Sequence, residues 1–526
     1  MNRQSYTNHR QNHDRNPQRQ RRTVPQRRGI QREWLPGAVI AVVFLAVIII
    51  FMVMLARTGF VPAKYLGIVC FLLLNLAGVA YILMMRFRKR KLFVAGTSIV
   101  AVMVILMGAA SIYITKTVSS LDKITGVDTV TTAVNVYVKQ DDPVQDLSGA
   151  ASYSFGILSA LDRDNTDAAV KRIDEKVGKD ISTTEYTSLT ELADSLMKGD
   201  CQAIVLNSAY LEVLSQMDNY TSFPSQVRQI AEEKVEQKIA DQNDDSSDKS
   251  KDQSQEEQKQ EGVYTIYISG IDTRGTSMIS SSLSDVNLIL TVNANTHQVL
   301  MISTPRDYYV PLSISGGAPD KLTHAGIYGV DVCMDTLDML YGIHIDYYFR
   351  LNFSGFIQII DQLGGITVYS DYDFDSKNVE GYHFNKGENQ LNGEQALAFS
   401  RERYSFDDGD RQRGRNQMAV VQGVVDKITS PELLKSYLSI LDSLAGCFET
   451  NIPYDLMAQL VREQLDKGGS WEVLSYSVNG TGDTQKPYSM SQPAYVMVPD
   501  QATVDKAKSL MEKVRGNTKI SEADLS

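Results

Sequence analysis

Cysteine is scarce in this sequence, and the four residues present do not form a recognisable site. Cys70, Cys201, Cys333 and Cys447 show neither close pairing nor the spacing of metal ligands. Cys70 lies in an apolar run, and the others are expected to be small buried side chains, with a Cys333–Cys447 disulfide as the open alternative. Walker-type glycine loops, zinc motifs and a Ser-His-Asp arrangement are also missing. The isolated residues His324 and His344 are expected to be structural.

Charged residues are absent from three long apolar stretches near the N-terminus. Residues 35–56, 65–85 and 92–114 contain no Asp, Glu, Lys or Arg, and each has the ~20 residues needed to cross a bilayer. The first connector, residues 57–64, carries two positive charges, whereas the second connector, residues 86–91, carries five. Because positive connectors stay inside, the sequence predicts a multi-pass protein of the cell membrane with a cytoplasmic N-terminus and residues 115–526 outside.

Acidic residues are rare in the first 34 positions, which contain nine Arg but only Asp14 and Glu33. This segment is expected to be a cytoplasmic, basic, disordered tail that touches anionic lipid. The whole chain has a net charge of -11, so the part after the last apolar stretch is acidic. An acidic body without a helix-turn-helix pattern argues against nucleic acid as a partner.

The outer part of the chain divides by composition and periodicity. Residues 128–225 are expected to form a small α/β accessory domain without a catalytic motif. Residues 226–262 are predicted to be a charged linker, in which 231–240 could extend as a helix before a run of Asp, Glu, Lys, Gln and Ser. Residues 263–429 alternate strands with helices, which is typical of a layered α/β domain. Residues 430–515 add helices and a strand that complete this domain.

Polar residues with phosphate-binding chemistry fall at the ends of the predicted elements of residues 263–429. The positions are Asp272, Asp285, Arg306, Arg401, Arg403, Asp410, Arg413 and Gln417. Ligand sites of open α/β sheets collect at such ends. The guanidinium fork matches phosphate oxygens, and two carboxylates could hold a divalent cation such as Mg²⁺. The competing interpretation is a solvated network of surface ion pairs, formed by Arg403, Asp407, Asp408, Asp410 and Arg411.

The motifs at these positions resemble the LytR–CpsA–Psr (LCP) family. They include Ser269–Thr273, Ser284–Asn287, Thr304–Tyr308, Lys321–Gly326, Ser400–Arg403 and the Arg413–Gln417 pair. The match runs from about Tyr264 to Val425, and several motifs in the same order are more specific than any one of them. The three apolar stretches and the accessory domain are similar to capsule-type members.

The resemblance implies a fold and an activity. The fold would be an α/β/α sandwich with an apolar pocket for a polyprenyl chain. The activity would be that of a Mg²⁺-dependent phosphotransferase, which moves capsule, teichoic acid or a similar glycopolymer from undecaprenyl pyrophosphate to peptidoglycan. Such enzymes act on the outer face of the membrane in Gram-positive-type cells.

The resemblance also implies roles for individual residues. Asp272 and Asp285 would bind the metal. Arg306, Arg401, Arg403, Arg413 and Gln417 would hold the pyrophosphate. Asp410 would orient the arginines, and Asp285 or another group would assist deprotonation of the acceptor hydroxyl.

One position departs from the family pattern. Members often carry Arg two positions before Asp285, where this chain has Leu283. Nearby Arg274 could substitute for it. The departure keeps open a second hypothesis, in which the protein binds or hydrolyses polyprenyl pyrophosphate with impaired transfer and regulates envelope assembly.

Several apolar residues could line the implied lipid pocket or belong to an ordinary core. They share helical spacing, and they are Leu337, Leu340, Phe353, Phe356, Ile357, Ile360 and Leu363.

Overall fold

The computed structural model describes residues 35–85, 89–125, 129–238, 261–271, 282–430 and 447–526. These residues form two compact units. The first unit consists of the residues up to Phe51 together with Ile68–Gly108, and it contains the greater part of the three N-terminal helices. The second contains Met52–Gly67 and the described residues from Ala109 onward. The predicted tail of residues 1–34 lies outside the described residues.

The three N-terminal helices are long and apolar enough to cross a membrane. They are α1 (Leu35–Arg57), α2 (Ala63–Met84) and α3 (Arg90–Thr125). Many of their large apolar side chains are exposed, as Val42, Phe71 and Ile105 illustrate. Helices that are apolar on all sides and face outward are suited to lipid rather than water. Three helices therefore anchor the chain in a membrane.

The accessory domain is built on a mixed five-stranded sheet in the order β3-β2-β4-β1-β5. Its strands are β1 (Thr129–Lys139), β2 (Ser154–Leu158), β3 (Ser182–Tyr186), β4 (Ala203–Asn207) and β5 (Val227–Lys238). Its helices are α4 (Arg163–Val177), α5 (Leu189–Lys198), α6 (Ala209–Ser215) and the short α7 (Phe223–Gln226). Strand β4 is fully buried and carries no charged residue, as its central place in the sheet requires.

The helix predicted over residues 231–240 is wrong, because residues 227–238 form strand β5. This strand pairs along the whole of β1 in antiparallel register. Its many charged residues are typical of a helix. However, the buried side chains of Glu233 and Val235 alternate with exposed neighbours, which is the two-residue period of a strand. Tertiary pairing therefore overrides helix propensity, and the accessory sheet extends into the segment predicted as a linker.

The larger α/β domain, which follows the accessory domain, is built on a six-stranded sheet in the order β16-β11-β6-β7-β8-β17. These strands are β6 (Val263–Ile271), β7 (Ser284–Asn293), β8 (Gln298–Ser303), β11 (Tyr347–Asn352), β16 (Phe448–Thr450) and β17 (Glu472–Ser477). Strands β6, β7 and β8 form an antiparallel meander, and the predicted hairpin between β7 and β8 is confirmed. Strands β11 and β17 add in parallel at the two sides of the meander.

Helices and short strands complete the domain. The helices are α8 (Ala325–Tyr328), α9 (Val330–Tyr341), α10 (Phe353–Gln362), α11 (Gly393–Arg401), α12 (Asp410–Ile428), α13 (Tyr454–Lys467), α14 (Gln501–Arg515) and α15 (Glu522–Leu525). The remaining strands are β9 (Tyr309–Pro311), β10 (Pro319–Lys321), β12 (Ile366–Ser370), β13 (Phe374–Asp375), β14 (His383–Phe384), β15 (Gly387–Leu391), β18 (Gly480–Gln485) and β19 (Ala494–Pro499).

Successive residues of the central strands point to opposite faces of the sheet and pack into two different apolar cores. On β6, Tyr267 packs into a core with α9 and α14, whereas Ile268 packs on the opposite face. On β7, Ile289 and Leu288 divide in the same way. The second face meets α12 through Met418. The domain is thus an α/β/α sandwich, as predicted, because each face of the sheet is covered by helices.

The cysteines do not form a disulfide. Cys333 and Cys447 are both buried and free. The open possibility of a bridge between them is therefore wrong for this structure, and both act as small apolar side chains.

Candidate functional site

A cavity of about 300 Å³ lies between the sheet and helices α10, α11 and α12. One end is polar and the other is apolar. The polar end contains six of the residues singled out from the sequence, namely Asp285, Arg306, Arg401, Arg403, Arg413 and Gln417. Asp410 lies in an adjoining crevice, which shares Arg306, Arg413 and Gln417 with the cavity. Residues that are more than a hundred positions apart in the chain therefore converge on one site.

Asp285 reaches the cavity because it is the extra residue of a β-bulge. In the β6–β7 pairing Gly270 faces Val286 while Ile271 faces Ser284, which leaves Asp285 unpaired. A bulge re-aims one side chain and is common beside active sites. The Asp285 carboxylate lies 2.5 Å from the guanidinium of Arg306, and both side chains are about 15% exposed.

The loop after β8 fixes Arg306. The Arg306 carbonyl accepts a hydrogen bond from the Thr323 N–H at 2.9 Å. Burial alone would lower the pKa of the Arg306 guanidinium, but the nearby carboxylates of Asp285, Asp307, Glu212 and Asp410 outweigh it and raise that pKa. Arg306 is therefore a permanent positive charge that is only partly open to solvent.

Helix α12 begins at the site and supplies three more polar residues, namely Asp410, Arg413 and Gln417. The Arg413 guanidinium lies 2.6 Å from the Asp410 carboxylate, within the first turn of the helix. A side chain at Gly414 would come within 2.9 Å of the Ser303 hydroxyl at the end of β8. Glycine thus lets the first turn of α12 approach the strand ends closely. The helix N-terminus adds partial positive charge on the same side as the arginines.

Arg401 and Arg403 flank a buried carboxylate that sequence analysis gave no role. Glu402 is fully buried. It accepts hydrogen bonds from the Ser376 hydroxyl and from the backbone N–H groups of Lys377, Asn378 and Ser405, at 2.8 to 3.0 Å. Burial raises the pKa of Glu402, but these hydrogen bonds outweigh it and leave the pKa below its ordinary value. The carboxylate therefore ties the Arg401–Arg403 segment to the segment that carries Asn378, another residue of the cavity wall.

The two arginines themselves differ in their contacts. The Arg401 guanidinium lies over the Phe353 ring, with 4.3 Å to the ring centre. Arg403 lies over the Tyr404 ring and donates a hydrogen bond to the Tyr404 hydroxyl. An arginine stacked on a ring keeps its N–H edges available for an anion. No signal at the level of the sequence identified Phe353 as such a platform.

The apolar end of the cavity follows one face of α12. Arg413 and Gln417 lie at the polar end, and Val420, Val421 and Val424 continue the same face at helical spacing. From Arg413 to Val424 the helix rises ~16 Å. Apolar side chains of the opposite walls are Ile268, Leu288, Phe349, Leu351, Phe356, Ile359, Ile360 and Leu397. The cavity therefore matches an amphiphile with an anionic head and a hydrocarbon tail.

The structure sorts the apolar residues that the sequence left open. Phe353, Phe356 and Ile360 line the cavity. Leu337 and Leu340 pack instead in the core on the other face of the sheet, with Leu337 fully buried there.

Part of the competing interpretation also holds. Asp408 and Arg415 form an ion pair of 2.5 Å whose side chains are substantially exposed, and Asp407 is exposed. Arg411 donates a hydrogen bond to the Asn479 side chain. These residues form a surface network next to the site, whereas Arg403 and Arg413 line the cavity. Asp272 and Arg274 lie outside the described residues.

Leu283 is buried where the accessory domain packs against the larger α/β domain. It shares one apolar cluster with Tyr210 and Leu214 of α6 and with Ile327 and Met490. Polar bonds join the two domains beside this cluster. They connect Tyr210 to Tyr328, Asn207 to the Ile327 carbonyl, Thr190 to Ser491 and Gln216 to Lys321. Leu283 therefore serves the interface between the domains, and the effect of Glu212 on Arg306 shows that α6 also comes near the site.

His324 is buried and has polar partners on its own domain. Its Nδ1 lies 2.6 Å from the Asp320 carboxylate and 2.7 Å from the Ser489 hydroxyl. Among the residues that the structure describes, no group of three or more His, Cys, Asp or Glu side chains could hold a metal ion by itself.

Comparison with known families decides the assignment. The family model LytR_cpsA_psr matches residues 229–513, which is more than half of the chain. The chain belongs to the LytR–CpsA–Psr family. A second model, described as DNA polymerase processivity factor, matches residues 88–206. That range joins the whole of α3 to only part of the accessory sheet, so it does not correspond to one domain of this LCP protein.

Characterised relatives match the catalytic part of this LCP protein. The polyisoprenyl-teichoic acid–peptidoglycan teichoic acid transferase TagU of Enterococcus faecalis is 31% identical over 42% of this chain and 72% of its own length. TagU of Bacillus cereus is 31% identical over 49% of this chain and 80% of its own. Among solved structures, B. subtilis TagV is 26% identical with a TM-score of 0.42 and covers 50% of this chain and 100% of its own. TagT bound to LIIa-WTA is 25% identical with a TM-score of 0.40, over 49% and 92%.

Proposed function

We propose that this LCP protein transfers a glycopolymer from a polyprenyl pyrophosphate carrier to peptidoglycan. One observation carries the proposal: a single cavity joins four arginines at one end to an apolar tunnel at the other. The arginine end fits a diphosphate, and the apolar end fits the hydrocarbon that carries it. The relatives named as teichoic acid transferases support the reaction class. The polymer would be capsule, teichoic acid or a similar glycopolymer.

In the proposed reaction Arg306, Arg401, Arg403 and Arg413 neutralise the diphosphate. The acceptor hydroxyl oxygen forms a bond to the phosphorus on the sugar side, and the bond from that phosphorus to the bridging oxygen breaks. The carrier leaves as polyprenyl phosphate, and its new negative charge stays among the arginines. Among the described residues that line the cavity, Asp285 is the one carboxylate, and it would accept the proton of the hydroxyl.

We also propose that the site binds a Mg²⁺ ion. Mg²⁺ is commonly held by one or two carboxylates together with substrate phosphates and water. Asp285 lies at the polar end of the cavity, and Asp272 directly follows the last residue of β6 in the chain. The two carboxylates would hold the ion, which would supply further positive charge against the diphosphate.

We further propose that the larger α/β domain, the catalytic domain of this proposal, lies outside the cell. The first connector contacts α13 through Tyr454 and Asp466, so the connector and the catalytic domain share one side of the membrane. The strongly basic second connector would then lie on the opposite, cytoplasmic side.

Turnover of a polyprenyl-pyrophosphate glycan in the presence of peptidoglycan tests the function. The expected result is label transfer to peptidoglycan and release of polyprenyl phosphate, with Arg306→Ala and Arg401→Ala each lowering kcat/KM by about 100-fold or more. If both variants retained wild-type turnover, the assignment of the site would be wrong. If label left the carrier but appeared only as free glycan, the impaired or hydrolytic alternative raised by Leu283 would replace transfer.

A further inference from the structure

The first connector, between the membrane helices α1 and α2, is packed against the catalytic domain. Phe60 is only 3% exposed, and it belongs to an apolar cluster with Cys447, Phe448 and Ala458. Its ring makes an edge contact with the Tyr454 ring at 5.2 Å. Residues 52–67 accordingly belong to the same compact unit as the outer domains.

One face of α13 supplies the contacts. Tyr454, Ala458, Arg462 and Asp466 are spaced four residues apart, so they form a single stripe along the helix. The stripe extends over ~18 Å, which is most of the length of α13.

Each residue of the stripe contacts the connector or the first turn of α2. The Tyr454 hydroxyl donates to the Thr58 carbonyl at 2.9 Å, and Arg462 donates to the Gly59 carbonyl at 3.1 Å. Lys64 lies 3.0 Å from the Asp466 carboxylate. A side chain at Gly59, whose φ is 72°, would meet Ala458 at 3.3 Å. Glycine adopts this positive φ without strain, and its lack of a side chain avoids the tight contact with Ala458.

The connector cluster is continuous with the wall of the cavity. Phe349, Leu351 and Ile359 pack against the Phe60 cluster, and the same three residues line the apolar part of the cavity. The Phe349 and Phe448 rings are stacked at 4.6 Å. One layer of side chains therefore separates Phe60 from the space proposed for the lipid tail.

The position of the first connector relative to the bilayer is fixed, because the connector is covalently joined to two spanning helices. Each of these helices has about the length of the hydrocarbon core, so its end lies near the membrane surface. The part of the catalytic domain that packs on the connector must lie at that surface too. We propose that the first connector holds the apolar wall of the cavity against the bilayer. A long polyprenyl tail then passes from the membrane into the cavity without crossing water. This inference rests on the proposed function.

Donors of different chain length test the inference in full-length protein reconstituted in vesicles. One donor carries a long polyprenyl tail in the vesicle membrane, and the other carries the same diphosphate and sugar on a short, water-soluble prenyl chain. The variants are Phe60→Ala and, as a milder change, the pair Lys64→Ala with Arg462→Ala. The matched control is Lys467→Ala, which removes an exposed ion pair with Glu463 on the same helix.

The inference predicts that both connector variants lose about tenfold or more in kcat/KM for the long-chain donor, but less than about twofold for the short-chain donor. The control is expected to match the wild type with both. Equal losses for the two donors would overturn the inference, because they would indicate general damage. Unchanged kinetics with the long-chain donor would overturn it as well.

A cross-link tests the docking without any turnover. Cysteines introduced by Lys64→Cys and Asp466→Cys should be joined by a short bifunctional reagent in vesicles, in agreement with the 3.0 Å ion pair. A missing cross-link would refute the docking itself. If the cross-link forms but the wild type turns over neither donor, the proposed function fails while the docking stands.

Discussion

Removal of the Glu402 carboxylate is the perturbation with the clearest structural cost. Four donors converge on this buried group, namely one hydroxyl and three backbone N–H groups. A buried donor left unpaired costs about 1–3 kcal/mol, and the four share one network, so their costs do not simply add. We expect Glu402→Ala to lower the free energy of unfolding by about 3–5 kcal/mol. Because the network holds Arg401 and Arg403, turnover should fall even where the variant is still folded.

Urea denaturation followed by tryptophan fluorescence measures this cost. Glu394→Gln is the matched control, because Glu394 is exposed in the first turn of α11, the helix that ends just before Glu402, and accepts one hydrogen bond from Tyr382. The control should change stability by less than about 0.5 kcal/mol. A Glu402→Ala variant as stable as this control would refute the account of the network.

The same carboxylate gives a pH signature. Its folded pKa lies below the ordinary value of 4.5. The stabilisation is therefore fully present above about pH 4.5 and is lost as the pH falls through the lower, folded pKa. Glu402→Gln should lack this contribution, so the stability difference between wild type and variant should shrink on acidification. A difference that stays constant with pH would contradict the proposed ionised state.

Other predictions concern the domain interface, a buried acid and the proposed metal. Leu283→Arg should cost about 3 kcal/mol or more of unfolding free energy without raising turnover, because the new charge would be buried in the interface; a gain in turnover would contradict this. Burial raises the pKa of Asp162 from 3.8 to about 6, so the folded state keeps a proton that the unfolded state loses. Stability should therefore fall by roughly 2–3 kcal/mol as the pH rises from about 4 to above 6. Asp162→Asn, measured by urea denaturation, should remove most of this slope, and an unchanged slope would exclude Asp162 as its source. Asp285→Asn should raise the Mg²⁺ concentration needed for half-maximal turnover, and chelation should abolish wild-type turnover; activity that is indifferent to chelator would remove Mg²⁺ from the proposal.

Local patterns were sufficient to predict many of the helices and strands. Apolar runs and helical spacing identified the three membrane helices, the β7–β8 hairpin and helix α9, because these signals depend on residues close in sequence. The motif residues Arg306, Arg401 and Arg413 also converge as expected. Strand β5 was missed because its charged sequence favours a helix, and only pairing with β1, about a hundred residues earlier, makes it a strand.

Long-range contacts explain the other differences. The role of Leu283 depends on an accessory domain that packs on it from distant sequence. The role of Glu402 depends on the backbone N–H groups of residues 377 and 378. Every residue type except proline has such a group, so the sequence does not indicate which ones bind Glu402. The orientation of the Asp285 side chain depends on a β-bulge, which arises only when β6 pairs with β7. Contacts of the first connector likewise join residues about 400 positions apart.

A structure of the full-length protein with a polyprenyl diphosphate bound would test the central claim most directly. The account predicts diphosphate oxygens within hydrogen-bond distance of Arg306, Arg401 and Arg413, and a hydrocarbon tail between the sheet and the Val420–Val424 face of α12. Density for the diphosphate at the exposed Asp408–Arg415 network, or a tail lying outside the cavity, would contradict it.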